Sequence, residues 1–267
     1  MFKTLFAFGD SLSDAGNDYY LDGGTGPVSP YYKGHFSNGP TWIEDLSKLL
    51  FPGTTLTPSL AGGHDFAFGG AETGPTLIEG AIPGDLLGQV AQYGLKYPQY
   101  QGALYSVEIG GNDILKAVDE LRAGEISAST VSTVVTQAAA NTVHAVETLF
   151  GLGARNLLFY EAPDLGLTPH VRAEATATPW VQNLASGLAN WFNNTVLSGL
   201  VPLERLGLKV YDVPTYADLD LVARNPSYFN TPPRHQLRER NRPGLDRQFH
   251  QLFVGVPANE LSGLSVL

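Results

Sequence analysis

Apolar residues fall along this chain in two rhythms. Short β-rich runs recur at Thr4–Gly9, Asp65–Gly69, Tyr105–Gly110, Asn156–Ala162 and Lys209–Val213. Between most of them the spacing lengthens to that of a helix. Thr130 to Phe150 sets Val131, Val134, Val135, Ala138, Val146 and Leu149 near one stripe, and Trp180 to Leu200 turns Leu184, Leu188, Trp191 and Phe192 inward. Both spacings suit amphipathic helices packed on a sheet. Strands alternating with helices predict a parallel sheet covered on both faces. No internal repeat and no linker divides the 267 residues, a length that suits one large α/β domain.

Two stretches break the rhythm. Tyr19 to Pro40 is long, rich in glycine and aperiodic, and it carries Tyr19, Tyr20, Tyr31, Tyr32 and Phe36. A loop of that length in a compact domain usually has a job, and its aromatic rings predict a substrate-lining role. The second stretch follows Asn230. It holds five arginines and three acids, a formal +2, which leaves 11 basic and 23 acidic residues before it, a formal −12. The shift predicts a core over residues 1–230 and a divergent C-terminal segment of the same domain over 231–267.

Composition narrows the classes. Hydrophobic residues make up 43% of the chain, ordinary for a protein with a sizeable core, and charged residues only 16%. A net charge of −10 leaves no basic footprint for nucleic acid. No run approaches 18 consecutive apolar residues, so no membrane span is expected, and Leu5–Gly9 is too short for a signal peptide. With no cysteine, disulfides, thiolate metal sites and cysteine nucleophiles are excluded together.

The candidate chemistry lies where three strands end. Gly9-Asp10-Ser11-Leu12-Ser13 follows the first, Gly69-Gly70-Ala71 the second and Gly110-Gly111-Asn112-Asp113 the third. In open parallel sheets ligands bind just beyond the carboxyl ends of the strands, so three small-residue turns meet at one rim. Acyl transfer explains the residue types. A serine hydroxyl attacks a carbonyl, and preorganised donors must stand about 3 Å from the oxygen that takes up the charge. Ser11 N–H, Gly70 N–H, with no side chain to block approach, and the Asn112 amide supply such donors.

GDSLSDAGN, FAFGGAET and IGGND resemble the first three signature blocks of the GDSL, or SGNH, serine esterases and lipases. Asn38-Gly39-Pro40 with Trp42, and Ala162-Pro163-Asp164-Leu165-Gly166, are similar to that family's lipase-like branch. The resemblance runs from about residue 4 to about 230. It implies a flavodoxin-like three-layer α/β/α sandwich with a central five-stranded parallel sheet, a Ser11 nucleophile, and oxyanion donors at Ser11, Gly70 and Asn112. It further implies promiscuous hydrolysis of small-molecule carboxylic esters without metal or organic cofactor, and a secreted or periplasmic setting. Oligomeric state is left open.

The family's last block, Asp-x-x-His, is absent. Laying Leu252-Phe253-Val254-Gly255-Val256-Pro257-Ala258-Asn259-Glu260-Leu261 over it puts Val254 at the aspartate and deletes the histidine. Alternatively, Asp246-Arg247-Gln248-Phe249-His250 supplies the pair with one extra residue between. An i,i+4 pair shares a helix face, so Asp246 would orient His250 as general base. His235 is a possible substitute. The remaining alternative is a member with no proper base, impaired or non-catalytic. An FMN-binding flavodoxin relative shares the predicted architecture but would need a hydroxyl-rich phosphate loop that the chain lacks.

Other residues have plainer readings. His35 is expected to be a solvated loop residue, His64 to bond locally, His144 to be solvated, and His170 to stand at the site's rim. Asp10 and Asp113 are expected to brace their turns. The sequon Asn193-Asn194-Thr195 falls in a predicted helix and matches at chance level.

Overall fold

The computed structural model describes residues 2–29, 31–74, 77–78 and 82–225. In chain order its elements are β1 (Thr4–Gly9), α1 (Asn17–Leu21), α2 (Trp42–Leu50), β2 (Leu77–Ile78), β3 (Ile82–Pro83), α3 (Leu86–Lys96), β4 (Ala103–Glu108), α4 (Gly111–Ala123), α5 (Ala128–Gly151), β5 (Asn156–Tyr160), α6 (Pro169–Ala175), α7 (Trp180–Arg205), β6 (Lys209–Val213) and α8 (Thr215–Arg224). β2 and β3 form a two-residue antiparallel ladder. The other four strands make one parallel sheet in the order β1-β4-β5-β6.

Side chains alternate across this sheet, as the period of a strand requires. Phe6 and Phe8 of β1 point to one face, where they join Tyr105 and Val107 of β4, Phe159 of β5, and buried residues of α3, α4, α5 and α7. Leu5 and Ala7 point to the other, with Leu104, Leu158, and Ile43 and Leu46 of α2. Helices therefore cover both faces, and β4, central and buried along its whole length, reads as a near-continuous apolar run. β6 is the edge strand, with Lys209 and Asp212 exposed.

Among the described residues the sheet has four strands, not the expected five. The segment Asp65–Gly69 does run beside β1, with Ala7 N–H donating to His64 O (3.0 Å), Phe66 N–H to Ala7 O (2.7 Å) and Phe68 N–H to Gly9 O (3.2 Å). It registers only as isolated bridges of Asp65, one to Ala7 and one to Pro58. Its other side meets the backbone of Thr57–Ser59 at Asp65 alone, with Ser59 N–H donating to Asp65 O (2.6 Å) and Asp65 N–H to Thr57 O (3.1 Å), and side chains beyond it. Asn17 Nδ2 donates to Asp65 O (2.9 Å) and Ala67 O (2.8 Å), and the Asp65 carboxylate accepts from Ala15 N–H and Ala67 N–H. These bonds satisfy the backbone without a regular ladder.

The two long helices fall where the periodicity places them, with one exception. Trp191 is 39% exposed, whereas Leu188, Phe192 and Val196 are buried. At 100° per residue Trp191 lies about 120° from the centre of the buried stripe, so Trp191 is not an inward residue. The sequon asparagine is buried too. Asn193 Oδ1 accepts from Ala162 N–H (2.9 Å) and its Nδ2 donates to Ala162 O (2.8 Å), closing the backbone just beyond β5.

Gln89 of α3 does the same for β1. Its Oε1 accepts from Gly9 N–H (2.9 Å), and its Nε2 donates to Gly9 O (2.8 Å) and Gly84 O (2.7 Å). All of these groups are buried, and a buried backbone group left without a partner costs about 1–3 kcal/mol. Gln89→Leu should therefore lower the unfolding free energy by about 2–4 kcal/mol, read from urea denaturation against wild type. A change below about 0.5 kcal/mol, the scale of an ordinary surface substitution, would contradict this account.

Candidate active site

β1 lies between β4 on one side and the 65–68 segment on the other, so the chain reverses its direction of winding at the carboxyl end of β1. That is the topological switch point where open α/β sheets bind ligands. Gly9 ends the strand. A Cβ there would lie 2.4 Å from Glu108 O, so only glycine allows the approach. Asp10 then opens a single turn: Ser13 N–H (3.1 Å) and Asp14 N–H (3.0 Å) both donate to Asp10 O, and Leu12 N–H donates to Asp10 Oδ1 (3.0 Å). Ser11 sits on this turn, half-buried.

Gly70 and Asn112 approach from either side. Gly70 adopts φ +73°, a left-handed conformation, and is exposed, with open space where a Cβ would stand. Its neighbour Gly69 is closed in by Phe36 and by the Asp18 carboxylate, which a Cβ would strike at 2.3 Å. The aromatic loop thus packs directly against the Gly69–Gly70 turn. On the other side Gly110, at φ +101°, starts α4 under the ring of Phe192, only 2.4 Å from where a Cβ would be. The next turn presents Asn112, whose Nδ2 donates to Ala71 O (2.8 Å) and to Asp10 Oδ2 (3.4 Å). One amide therefore joins the turn after β1 to the turn after the 65–69 segment. The longer contact is the weaker one.

The acids near the rim brace backbone. Asp113 accepts from Thr73 N–H and Thr73 Oγ1, and Asp14 Oδ1 accepts from Gly16 N–H (2.8 Å) and Asn17 N–H (2.5 Å). Burial pushes Asp14 and Asp113 up to about 6, partly offset by those donors, and burial together with the Asp14 charge pushes Asp18 up to about 7. Asp65 rises as well, through burial and the neighbouring Asp14. Among the described residues, no three His, Cys, Asp or Glu side chains gather as a metal site.

The described histidines each pair with a residue other than Ser11. His35 is not solvated: it is 7% exposed and its Nε2 lies 3.1 Å from Glu44 Oε2. Glu44 also caps α2 by accepting from Thr41 N–H (2.6 Å). Burial opposes both charges, but the hydrogen bond and attraction between them win, raising His35 and lowering Glu44. His64 bonds Thr4 Oγ1 (2.9 Å) at the opposite end of β1, a contact distant in sequence rather than local. His144 is exposed on α5 beside Glu147. His170 pairs with Asp119 (3.0 Å), two turns along α4 from Asn112, so it is not a neighbour of the serine turn. His235, Asp246 and His250 lie outside the described residues.

Sequence reasoning missed Glu108, Gln89, Asn17 and Glu44. The signal for Glu108 was present, as an acid closing the apolar strand Ala-Leu-Tyr-Ser-Val-Glu just before Ile-Gly-Gly-Asn-Asp. The amide contacts of Gln89 and Asn17 depend on tertiary approach and leave no local mark.

Comparison with known proteins bears on this geometry. Residues 5–241 match the family model described as GDSL-like Lipase/Acylhydrolase. A phosphatidylcholine-sterol acyltransferase of Aeromonas hydrophila is 30% identical over 79% of this chain and 58% of its own length. Lipase 1 of Photorhabdus luminescens is 31% identical over 64% of this chain but 24% of its own. An esterase of Hevea brasiliensis is 25% identical over 88% of this chain and 68% of its own. The chain thus spans little more than half of the acyltransferase and about a quarter of the lipase.

The raised acids set a pH dependence. Asp14, Asp18 and Asp113 hold protons more tightly folded than unfolded. Their contribution is therefore complete below the ordinary carboxylate range, about 4, and is lost as pH rises through 6 to 7. His35, also raised, acts in the same direction. The melting temperature should be higher at about pH 5.5 than at about pH 8, and a scan that rises toward alkaline pH would contradict the assignment.

Proposed function

The chain belongs to the GDSL-like lipase/acylhydrolase family, and on that premise we propose that it is a serine hydrolase of carboxylic esters. Ser11 Oγ attacks the ester carbonyl, and its proton passes to a base and then to the departing alcohol. The acyl group, held on Ser11, is released by water. The N–H groups of Ser11 and Gly70 and the Asn112 amide stabilise the tetrahedral oxyanion. Asn112 carries most of the support, because its Nδ2 contacts both Asp10 and Ala71, immediate neighbours of Ser11 and Gly70.

For the base we propose His250, oriented by Asp246. The described histidines have other partners, which leaves the base to be supplied from the C-terminal segment. The names of the relatives, an acyltransferase, a lipase and an esterase, agree with chemistry on an acyl ester. The exposed rings of Tyr19 and Tyr20, on α1 beside the serine turn, favour an ester with an apolar acyl or aryl part.

A second reading rests on the missing Asp-x-x-His block: a member that binds esters but turns them over poorly. A serine without its base can keep a residual acceleration of about 10³–10⁴ over water, so weak turnover alone does not separate the two. Fluorophosphonate labelling and p-nitrophenyl ester hydrolysis by variants do. Ser11→Ala should abolish labelling, Asn112→Ala should lower kcat/KM about 100-fold or more, and His250→Ala should lose labelling with turnover. Wild-type turnover in Ser11→Ala overturns the hydrolase reading, and unchanged labelling in His250→Ala removes His250 as base.

A further inference from the structure

β4 is buried along its full length, yet it ends in an acid. Glu108 is 2% exposed, and it is not a surface charge folded inward by accident of packing. Its Oε2 accepts from Ser13 Oγ at 3.0 Å. Ser13 Oγ in turn accepts from Trp42 Nε1 at 3.2 Å, and the Trp42 ring stacks on Tyr160 of β5 with centroids 4.1 Å apart. The Glu108 carboxyl is also hydrogen-bonded to Asp10, through both the Asp10 side chain and its backbone. Asp10 Oδ2 receives the Asn112 amide. A single carboxyl group thus touches both ends of the turn that bears Ser11 and, through one intermediary, reaches Asn112.

An ionised carboxylate at this depth, beside a second one, would be penalised by several kcal/mol. Burial first, and the Asp10 charge second, push Glu108 well above the usual carboxylate range. The neutral form fits the contacts. Its O–H donates to the Asp10 carboxylate, and its remaining oxygen accepts from Ser13. It also leaves one negative charge instead of two beneath a serine whose reaction places a new anion close by, where like charges repel strongly.

We propose that Glu108 is a positioning residue for ester hydrolysis: its carboxyl clamps Asp10 to Ser13 and so holds Ser11 and Asn112 in register with Gly70. The kinetic consequence rests on the hydrolase reading; the clamp itself does not. Glutamine at this position keeps one donor for Asp10 and one acceptor for Ser13, whereas leucine fills the volume and makes neither bond.

The test compares the full-length wild-type chain with Glu108→Leu, Glu108→Gln and Ser13→Ala. Small misplacement of a reacting group commonly costs about 10- to 100-fold in rate, so Glu108→Leu should lower kcat by that much with little change in KM. Glu108→Gln should restore most of the loss. A purely structural acid would instead lower the yield of active protein and leave kcat per labelled serine unchanged. The ¹⁵N spectrum gives a readout independent of turnover. In Glu108→Leu the side-chain amide pair of Asn112 and the indole N–H of Trp42 should shift, in Glu108→Gln they should stay near wild type, and Ser13→Ala should shift both in the same direction as leucine. If Glu108→Leu does not fold, Ser13→Ala and Glu108→Gln carry the comparison. Wild-type Asn112 resonances in both Ser13→Ala and Glu108→Leu overturn the clamp, as does Glu108→Gln as damaged as Glu108→Leu. If the wild type neither hydrolyses esters nor labels, the hydrolase reading falls, and the spectra still decide the clamp.

Discussion

Gly9 lies directly opposite Glu108 in the parallel pairing of β1 with β4, a register that runs unbroken from Thr4 beside Ala103. The local geometry of the serine turn follows from that pairing. It brings the turn after β1 level with the start of α4, so that Asn112 can reach Asp10. A slip of one residue would reverse the faces of the strand, sending Phe6 and Phe8 out of the aromatic cluster they form with Phe66, Tyr93 and Tyr105. The core and the rim are therefore specified by one set of contacts. Packing of large rings sets the register, and the register aligns the turns.

Much of this was legible in the residues. Thr4–Gly9 and Lys209–Val213 are strands over the limits their patterns indicate, because each run is short and closed by Gly or Pro. The turns bearing Ser11, Gly70 and Asn112 were legible because small residues repeated after strand-like runs. The fifth strand was overread: Asp65-Phe66-Ala67-Phe68 has the right alternation, but Asn17 and Asp65 supply side-chain partners where a ladder would continue. Trp191 was misread because it was grouped with the stripe of Leu184, Leu188 and Phe192, whereas its helical phase turns it off the buried face. His35 was misread because no local pattern announces that Glu44, in the next helix, will face it.

Buried acids give the site its electrostatic character. Asp14 and Asp65 lie together under the serine turn, Asp18 lies against Gly69, and Glu108 lies against Asp10. Most accept backbone N–H groups and thereby shape loops that lack regular structure. Such a cluster stays within an acidic protein only if part of it is neutral, and the raised proton affinities are the physical expression of that condition. The hydrogen bond between His35 and Glu44, placed where the aromatic loop meets α2, instead favours the charged form of each partner.

Gln89 carries a consequence for which atoms this position tolerates. Its amide nitrogen points at two carbonyl oxygens, those of Gly9 and Gly84, while its oxygen faces an N–H. Glutamate in its place would replace the nitrogen by oxygen and set lone pair against lone pair at the foot of the serine turn. An acid formed there could be tolerated only in its protonated form. The shape of the rim therefore depends on a single nitrogen atom in a neighbouring helix.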